Sequence, residues 1–329
     1  MTSTPSNPAS QWPPSAALST LRLRAASLRT ARDFFAERGV LEVDTPILGH
    51  RTVTDVHIHS ARVELPAHPA PLYLQTSPEY AMKRLLASGS GDIYQIAHVF
   101  RAEERGRLHN AEFTLIEWYR VGFGLQQLMD EVAALAQRLL GMEGAAPVHS
   151  LSYAQAFERH LGCDPLCAGD AQLRVLASES GLPPDVADRC QRDELLDWLM
   201  GSAIGPRLGA EGLCFVHRYP ASQAALARLD ETDPRVALRF ELYCRGVELA
   251  NGFEELADAA EQRARFEADL RERQRRGLVL PQIDEALLAA LAAGLPPVAG
   301  VALGLDRLLM LRIGASDIGE VLPFALERC

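Results

Sequence analysis

Helical and strand-like spacings of apolar residues alternate along this chain. Leu21, Ala25, Leu28 and Phe35 recur at helical intervals, so Leu18 to Arg38 is predicted as a helix with its apolar stripe on that face and Gly39 as its stop. Val40 to Val43 reads as a short strand closed by Asp44-Thr45-Pro46, and Leu72 to Gln75 as another. Ser77-Pro78-Glu79 has the order of a helix start: a capping hydroxyl, a proline with φ already set, an acid in the first turn. Ile93 to Arg101 and Phe113 to Val121 are predicted strands around a polar loop, and Leu125 to Leu140 a helix. From about 145 to 230 the pattern breaks into short helices punctuated by Gly and Pro. Val236 to Tyr243 and Val247 to Ala250 read as a strand pair, Ala257 to Arg276 as a charged helix, Val298 to Leu305 as a buried strand, and Asp306 to Ile313 as a helix. Strands that cluster as hairpins with helices outside them predict an α+β fold on an antiparallel sheet, not a parallel doubly wound one.

Composition narrows this picture in a few places. The 329 residues are 48% hydrophobic, enough for a full core. No apolar run approaches the ~20 residues of a membrane span. Residues 1–17 hold no Lys or Arg and lack the plan of a secretion signal, so they are expected to form a disordered tail before one domain over 18–329, in a cytoplasmic protein. The six cysteines form no CxxC pair and read as free thiols. A net charge of −10 argues against a general grip on nucleic acid.

The candidate chemistry starts at the predicted hairpin. Arg101 and Glu103, two apart, are expected on one strand face, and Glu117 and Tyr119 on one face of the next strand. Four polar groups on a buried hairpin are costly unless a ligand meets them. With a turn centred on Cys244-Arg245, Glu241 and Glu248 would lie opposite each other: either solvated edge residues or carboxylates held apart from repulsion by a divalent cation. In Gly300-Val301-Ala302-Leu303-Gly304 small residues alternate. That leaves one strand face open for a flat ligand or for close packing, and Arg307 follows in the first helical turn. Asn251-Gly252 is a turn signal that would throw Glu255 back toward Glu248. His50, His57, His59 and His68 have no paired ligand spacing, Arg271 to Arg276 reads as a solvated helix end, and neither a GxxxxGK[ST] nor a GxSxG motif occurs.

Together these segments resemble the catalytic core of class II aminoacyl-tRNA synthetases, in particular the lysyl branch. Val40 to Leu48 with Pro46 is similar to motif 1, the dimer-interface motif. Phe100-Arg101-Ala102-Glu103 through Phe113 is similar to motif 2, and Gly300 to Arg307 to motif 3. The resemblance runs from about residue 18 to the C-terminus and implies a class II catalytic fold that uses ATP and Mg²⁺. By it Arg101 would grip the α-phosphate and Arg307 the γ-phosphate. Ala102, Glu103, Asn110, Glu248, Leu249 and Gly304 would form the nucleotide site, and Glu241 and Glu248 would hold Mg²⁺. Ser77, Pro78, Glu79, Glu117, Tyr119, Glu255 and Ala302 would form the amino-acid site, with the carboxylates taking a diamine.

Two features separate the chain from true lysyl-tRNA synthetases. Only the short tail precedes the core, so no anticodon-reading OB-fold is expected, and Ala302 stands where those enzymes carry glycine. Ala102 also replaces the polar residue usual between the motif 2 arginine and glutamate. The size and arrangement are similar to the truncated lysyl-synthetase paralogues that attach (R)-β-lysine to a lysine of elongation factor P. That implies (R)-β-lysine or lysine as substrate, elongation factor P as partner, a homodimer, and neither tRNA nor a membrane. A stripped synthetase that charges tRNA and a non-catalytic amino-acid-binding paralogue are the alternatives.

Overall fold

The computed structural model describes residues 12–329 apart from positions 143 and 145. Most of the tail expected to be disordered therefore lies outside the described residues. At its end, the Ser15 and Ala16 amides donate to the Pro323 and Leu322 carbonyls, so the chain is already anchored before the first helix.

The chain begins with α1 (Leu18–Ala36) and β1 (Leu41–Glu42), then a small sheet of β2 (Leu48–Gly49), β3 (Arg62–Val63) and β4 (Leu72–Leu74). Next come α2 (Glu79–Ala87), β5 (Ile93–Phe100), β6 (Glu112–Val121) and α3 (Leu125–Leu140). After β7 (Val148–Ser152) lie α4 (Tyr153–Leu161), α5 (Asp170–Glu179), α6 (Pro184–Ala187) and α7 (Arg192–Leu199). The chain closes with β8 (Leu213–Pro220), β9 (Val236–Cys244), β10 (Val247–Glu254), α8 (Ala259–Arg275), α9 (Glu285–Gly294), β11 (Val298–Gly304) and α10 (Leu305–Ile313).

Eight strands form the main sheet in the order β1-β5-β6-β11-β10-β9-β8-β7. From β5 to β8 every pairing is antiparallel, while β1 and β7 add on in parallel at the two ends. The sheet is thus mixed, with the expected antiparallel part at its centre. β7 and β8 tie the 145–230 segment into it, and α4 to α7 pack a core of their own around Tyr153, Phe157, Leu195 and Leu199.

Strand alternation gives the sheet two faces. Ile116, Trp118, Leu242, Val301 and Leu303 point into a core closed by α1, α3 and α10. Large side chains such as Phe35 and Trp118 are fully buried there, where truncation to Ala costs ~3–5 kcal/mol. The other face carries the residues with chemistry. The buried stripe of α1 differs from the expected one: Thr20, Ser27, Ala31, Phe34 and Phe35 are buried, whereas Ala25 is exposed. Two polar residues, Thr20 and Ser27, ride on that stripe, and the buried Ser27 Oγ has no hydrogen-bond partner. Arg24, beside them, bonds Asp306 and donates to Thr114 Oγ1 at 2.7 Å.

Candidate active site

Register decides which side chains meet on the open face. β11 lies between β6 and β10, with Gly300 opposite Tyr119, Ala302 opposite Glu117 and Gly304 opposite Leu115. On its other side Ala302 faces Asn251 and Gly300 faces Phe253. The alternating small residues therefore form a trough between two walls of larger side chains. At Gly300 the trough is obligatory: a Cβ there would fall 2.3 Å from the Tyr119 ring and 2.6 Å from Glu255 Oε1.

One half of the site is a buried carboxylate cluster. Ser77, Glu79, Glu117, Tyr119, Glu255, and Ala302 all line a cavity of about 760 Å³. Tyr119 Oη donates to Glu117 Oε1 at 2.8 Å and Ser77 Oγ to Glu117 Oε2 at 2.7 Å. Ser77 Oγ also accepts from the Glu79 amide at 3.0 Å, so this hydroxyl holds the first amide of α2, whose N-cap is Pro78, and orients a carboxylate at once. Burial pushes the Glu117 carboxyl up to about 8, reinforced by Glu79 and opposed by Ser77 and Tyr119. Burial also raises Glu255 to about 8, against the pull of a neighbouring cation.

That cation is Lys83, which sequence reasoning missed. Its Nζ lies 2.7 Å from Glu79 Oε1 and 2.6 Å from Glu255 Oε2, and its side chain is 1% exposed. Burial works against the charge, but Glu255 and Glu79 outweigh it and hold the ammonium well above the ordinary lysine value. Two signals were available: the four-residue spacing from Glu79 on a helix, and the fact that Lys83 is the sole lysine of the chain.

The other half is rich in arginine. A second cavity of about 270 Å³ is lined by Arg101, Asn110, Glu248, Leu249, Gly304 and Arg307, among others. Arg101, Arg239, Asn251 and Ala302 border both cavities, so the two lie side by side with a shared wall. Arg101 Nη1 donates to Glu104 Oε1 at 2.9 Å, and its guanidinium lies 5.1 Å from the Phe113 ring centroid. Its buried Nε has no hydrogen-bond partner. Arg307 donates to the carbonyls of Leu108 and Glu248, and its Nη2 lies 2.5 Å from His109 Nε2. Burial and the Arg307 charge push His109 down, so the neutral ring that can accept from Arg307 is favoured. Asn110 is fixed by its Nδ2 donating to the Glu112 carbonyl at 2.7 Å.

Four expectations need correction. Arg101 and Glu103 do not share a strand: β5 ends at Phe100, and both sit in the loop that follows. Glu103 is 72% exposed and turns to His59, 3.4 Å away, so Glu104 is the acid that meets Arg101. Ala102 donates its amide to the His59 carbonyl at 2.7 Å; like Glu103 and Pro78 it lines neither cavity. The β9–β10 turn is centred one residue later, on Arg245-Gly246, both with positive φ. Glu248 therefore pairs with Tyr243, and Glu241 with Asn251. Finally, Asn251-Gly252 is no turn but lies inside β10, where Gly252 passes under the Phe240 ring; the strand simply continues to deliver Glu255.

Glu241 and Glu248 still share a face. A bulge between Glu248 and Ala250 shifts the alternation, which brings Glu248 and Asn251 to the same side. Glu241 is buried and engaged at both oxygens, by Arg239 at 2.5 Å and Tyr243 Oη at 2.6 Å. Glu248 is 42% exposed and lies 3.7 Å from Arg307 Nη1. Its carboxyl is pushed up by desolvation within the cavity and by Glu241. Such mutual repulsion is relieved by a divalent cation, so the pair suits Mg²⁺ held mainly by substrate phosphates.

An antiparallel trough flanked by arginines and carboxylates, at the strand ends of a mixed sheet, is the site of a class II synthetase fold. The family model for class II tRNA synthetases (D, K and N) matches residues 11–328, and the chain belongs to that family. Among curated proteins it is 51% identical over 321 residues to the elongation factor P–(R)-β-lysine ligase of Edwardsiella ictaluri, covering 96% of this chain and 98% of that one. It is 50% identical to the proteins of the same name from Salmonella dublin (96% and 98% covered) and Erwinia tasmaniensis (97% and 98%). ATP use is expected of a ligase of this class. No helix among the described residues is long and apolar enough to cross a membrane.

Proposed function

We propose that this protein is an ATP-dependent, AMP-forming ligase that activates (R)-β-lysine or lysine and transfers it to a lysine side chain of elongation factor P. The observation that carries the reading is the adjacency of the two cavities: buried carboxylates suited to a diamine share a wall with arginines suited to a polyphosphate. In the first step the substrate carboxylate attacks the α-phosphorus of ATP and pyrophosphate leaves. No general base is required, since the nucleophile is already an anion. The barrier is electrostatic, and positioned cations lower it. Arg101, with its free Nε, steadies the α-phosphate, and Arg307 the γ-phosphate. Asn110, Leu249 and Gly304 line the nucleotide end. Glu79, Glu117 and Glu255 receive the amines, with Tyr119 and Ser77 fixing Glu117. Glu241 and Glu248 would hold Mg²⁺, which when bound offsets phosphate charge. In the second step the acceptor amine attacks the adenylate carbonyl, an amide forms, and AMP departs.

The domain runs over 18–329 with the 145–230 insertion, and the protein acts as a cytoplasmic homodimer. The β1 edge and the motif 1 segment support the dimer: Leu41 is 55% exposed and Ile47 43%. Six free cysteines suit the cytoplasm. The test is to incubate the full chain with ATP and labelled (R)-β-lysine or lysine, with either elongation factor P or tRNA. Label is expected on elongation factor P. Label on tRNA and never on protein would overturn the reading.

A further inference from the structure

The buried cation of the amino-acid site has no place in the chemistry above. Lys83 sits on α2 between Glu79, one turn away, and Glu255 at the end of β10. Glu117 and Tyr119 on β6 and Tyr80 on α2 face the same pocket, whose wider wall also carries Arg101, Arg239, Arg265, Asp197, Asp269 and Glu272; α9 packs against α2 through Leu287, Leu288 and Leu291. An ammonium placed at the bottom of a site that must bind ammonium groups is a poor choice unless it does something the substrate cannot.

We infer that Lys83 is the positioning residue of the amino-acid site: its fixed ammonium aligns Glu79 and Glu255 and sets the charge of the pocket to match a diamine. The inference rests on the function proposed above. Glu79, Glu117 and Glu255 together carry three negative charges when ionised, and Lys83 returns one. Over these four groups alone, once all three acids are ionised, the balance equals the two ammonium groups of lysine or β-lysine. Lys83 pairs with Glu79 Oε1 and with Glu255 Oε2, which leaves Oε1 of Glu255 unpaired with it. Glu255 Oε1 is the atom that lies over Gly300, on the trough floor. Without Lys83, three crowded carboxylates would hold protons to higher pH, and a protonated carboxyl loses its charge-assisted bond to an ammonium.

Two measurements test this. Because Lys83 is the sole lysine, full-length protein labelled with ¹³Cε-lysine gives one side-chain resonance. That resonance is expected to keep the shift of a charged ammonium to pH 10, to move on saturation with unlabelled (R)-β-lysine or lysine, and to stay still with ATP alone. No movement at an amino-acid concentration that saturates pyrophosphate exchange would overturn the inference. The variant Lys83→Met is expected to raise the amino-acid KM about tenfold or more at pH 7 and to move the acid limb of its pH profile up by about one unit or more. The ATP KM and kcat should change far less. An unmoved amino-acid KM, or equal rises in both KM values with no shift of the profile, would show a merely structural lysine. Should the variant fail to fold, the resonance of the wild-type chain decides. Absence of any amino-acid-dependent exchange in the wild type would instead sink the proposed function.

Discussion

Much of the carboxylate half of the site hangs from strands, with Glu79 and Lys83 added by α2, whereas much of the arginine half hangs from a loop and a helix start. Glu117, Tyr119 and Ala302 are fixed by registers across β6 and β11, and Glu117 is buried. Arg101 follows β5 in an irregular segment, 29% exposed, and Arg307 opens α10, 21% exposed. The buried half is already complete: each acid has a hydroxyl or an ammonium as partner. The looser half is held by stand-ins, Glu104 for Arg101 and His109 for Arg307, which a polyphosphate can replace. A small amine needs a rigid, dry, charge-matched pocket to be told from others, while a flexible triphosphate needs cations that can follow it.

Three substitutions would break or sharpen that contrast. The largest effect is expected of Arg101→Ala: a fall of about 10²–10³ in kcat for amino-acid-dependent pyrophosphate exchange, with amino-acid binding retained in a direct titration. Loss of amino-acid binding together with rate would show that the two halves are not separable. Gly300→Ala should act on the other half. Its Cβ would collide with the Tyr119 ring and Glu255, so the amino-acid KM should rise about 10–100-fold while the ATP KM holds. An unchanged amino-acid KM would mean that Tyr119 yields and the trough is softer than its register implies. The smallest effect belongs to Glu104→Gln, which loosens a partly exposed stand-in. The ATP KM should move by no more than about threefold, with the amino-acid KM unmoved. A large loss would make Glu104 a direct nucleotide contact.

The same contrast explains what was legible in the sequence. Elements with a clear period, such as Leu125–Leu140 and the β5–β6 hairpin, appear where spacing put them. Glu117, Tyr119 and Ala302 follow, because strand alternation converts sequence spacing into a shared face. Glu103 was misplaced because the strand was carried one residue past Phe100, where loop geometry and not alternation rules. Glu248 and Asn251 meet only through a bulge, which no two-residue period reveals. Lys83 is an i,i+4 partner of Glu79, and that much was local. Its second partner, Glu255, lies far along the chain just past the end of β10, and only the tertiary fold brings the two together.

The solitary lysine has one more consequence. Of the 33 lysine and arginine residues only Lys83 carries a primary amine on its side chain, and that amine is protonated, enclosed and held by two carboxylates. Every other cationic side chain of the two types is a guanidinium, which stays protonated and is a poor acyl acceptor. An enzyme that manufactures an activated lysyl group therefore exposes no side-chain amine of its own for that group to acylate. Under the proposed function, amide formation from the mixed anhydride is left to the amine a partner brings, because the enzyme's own side chains offer no free primary amine to compete for it.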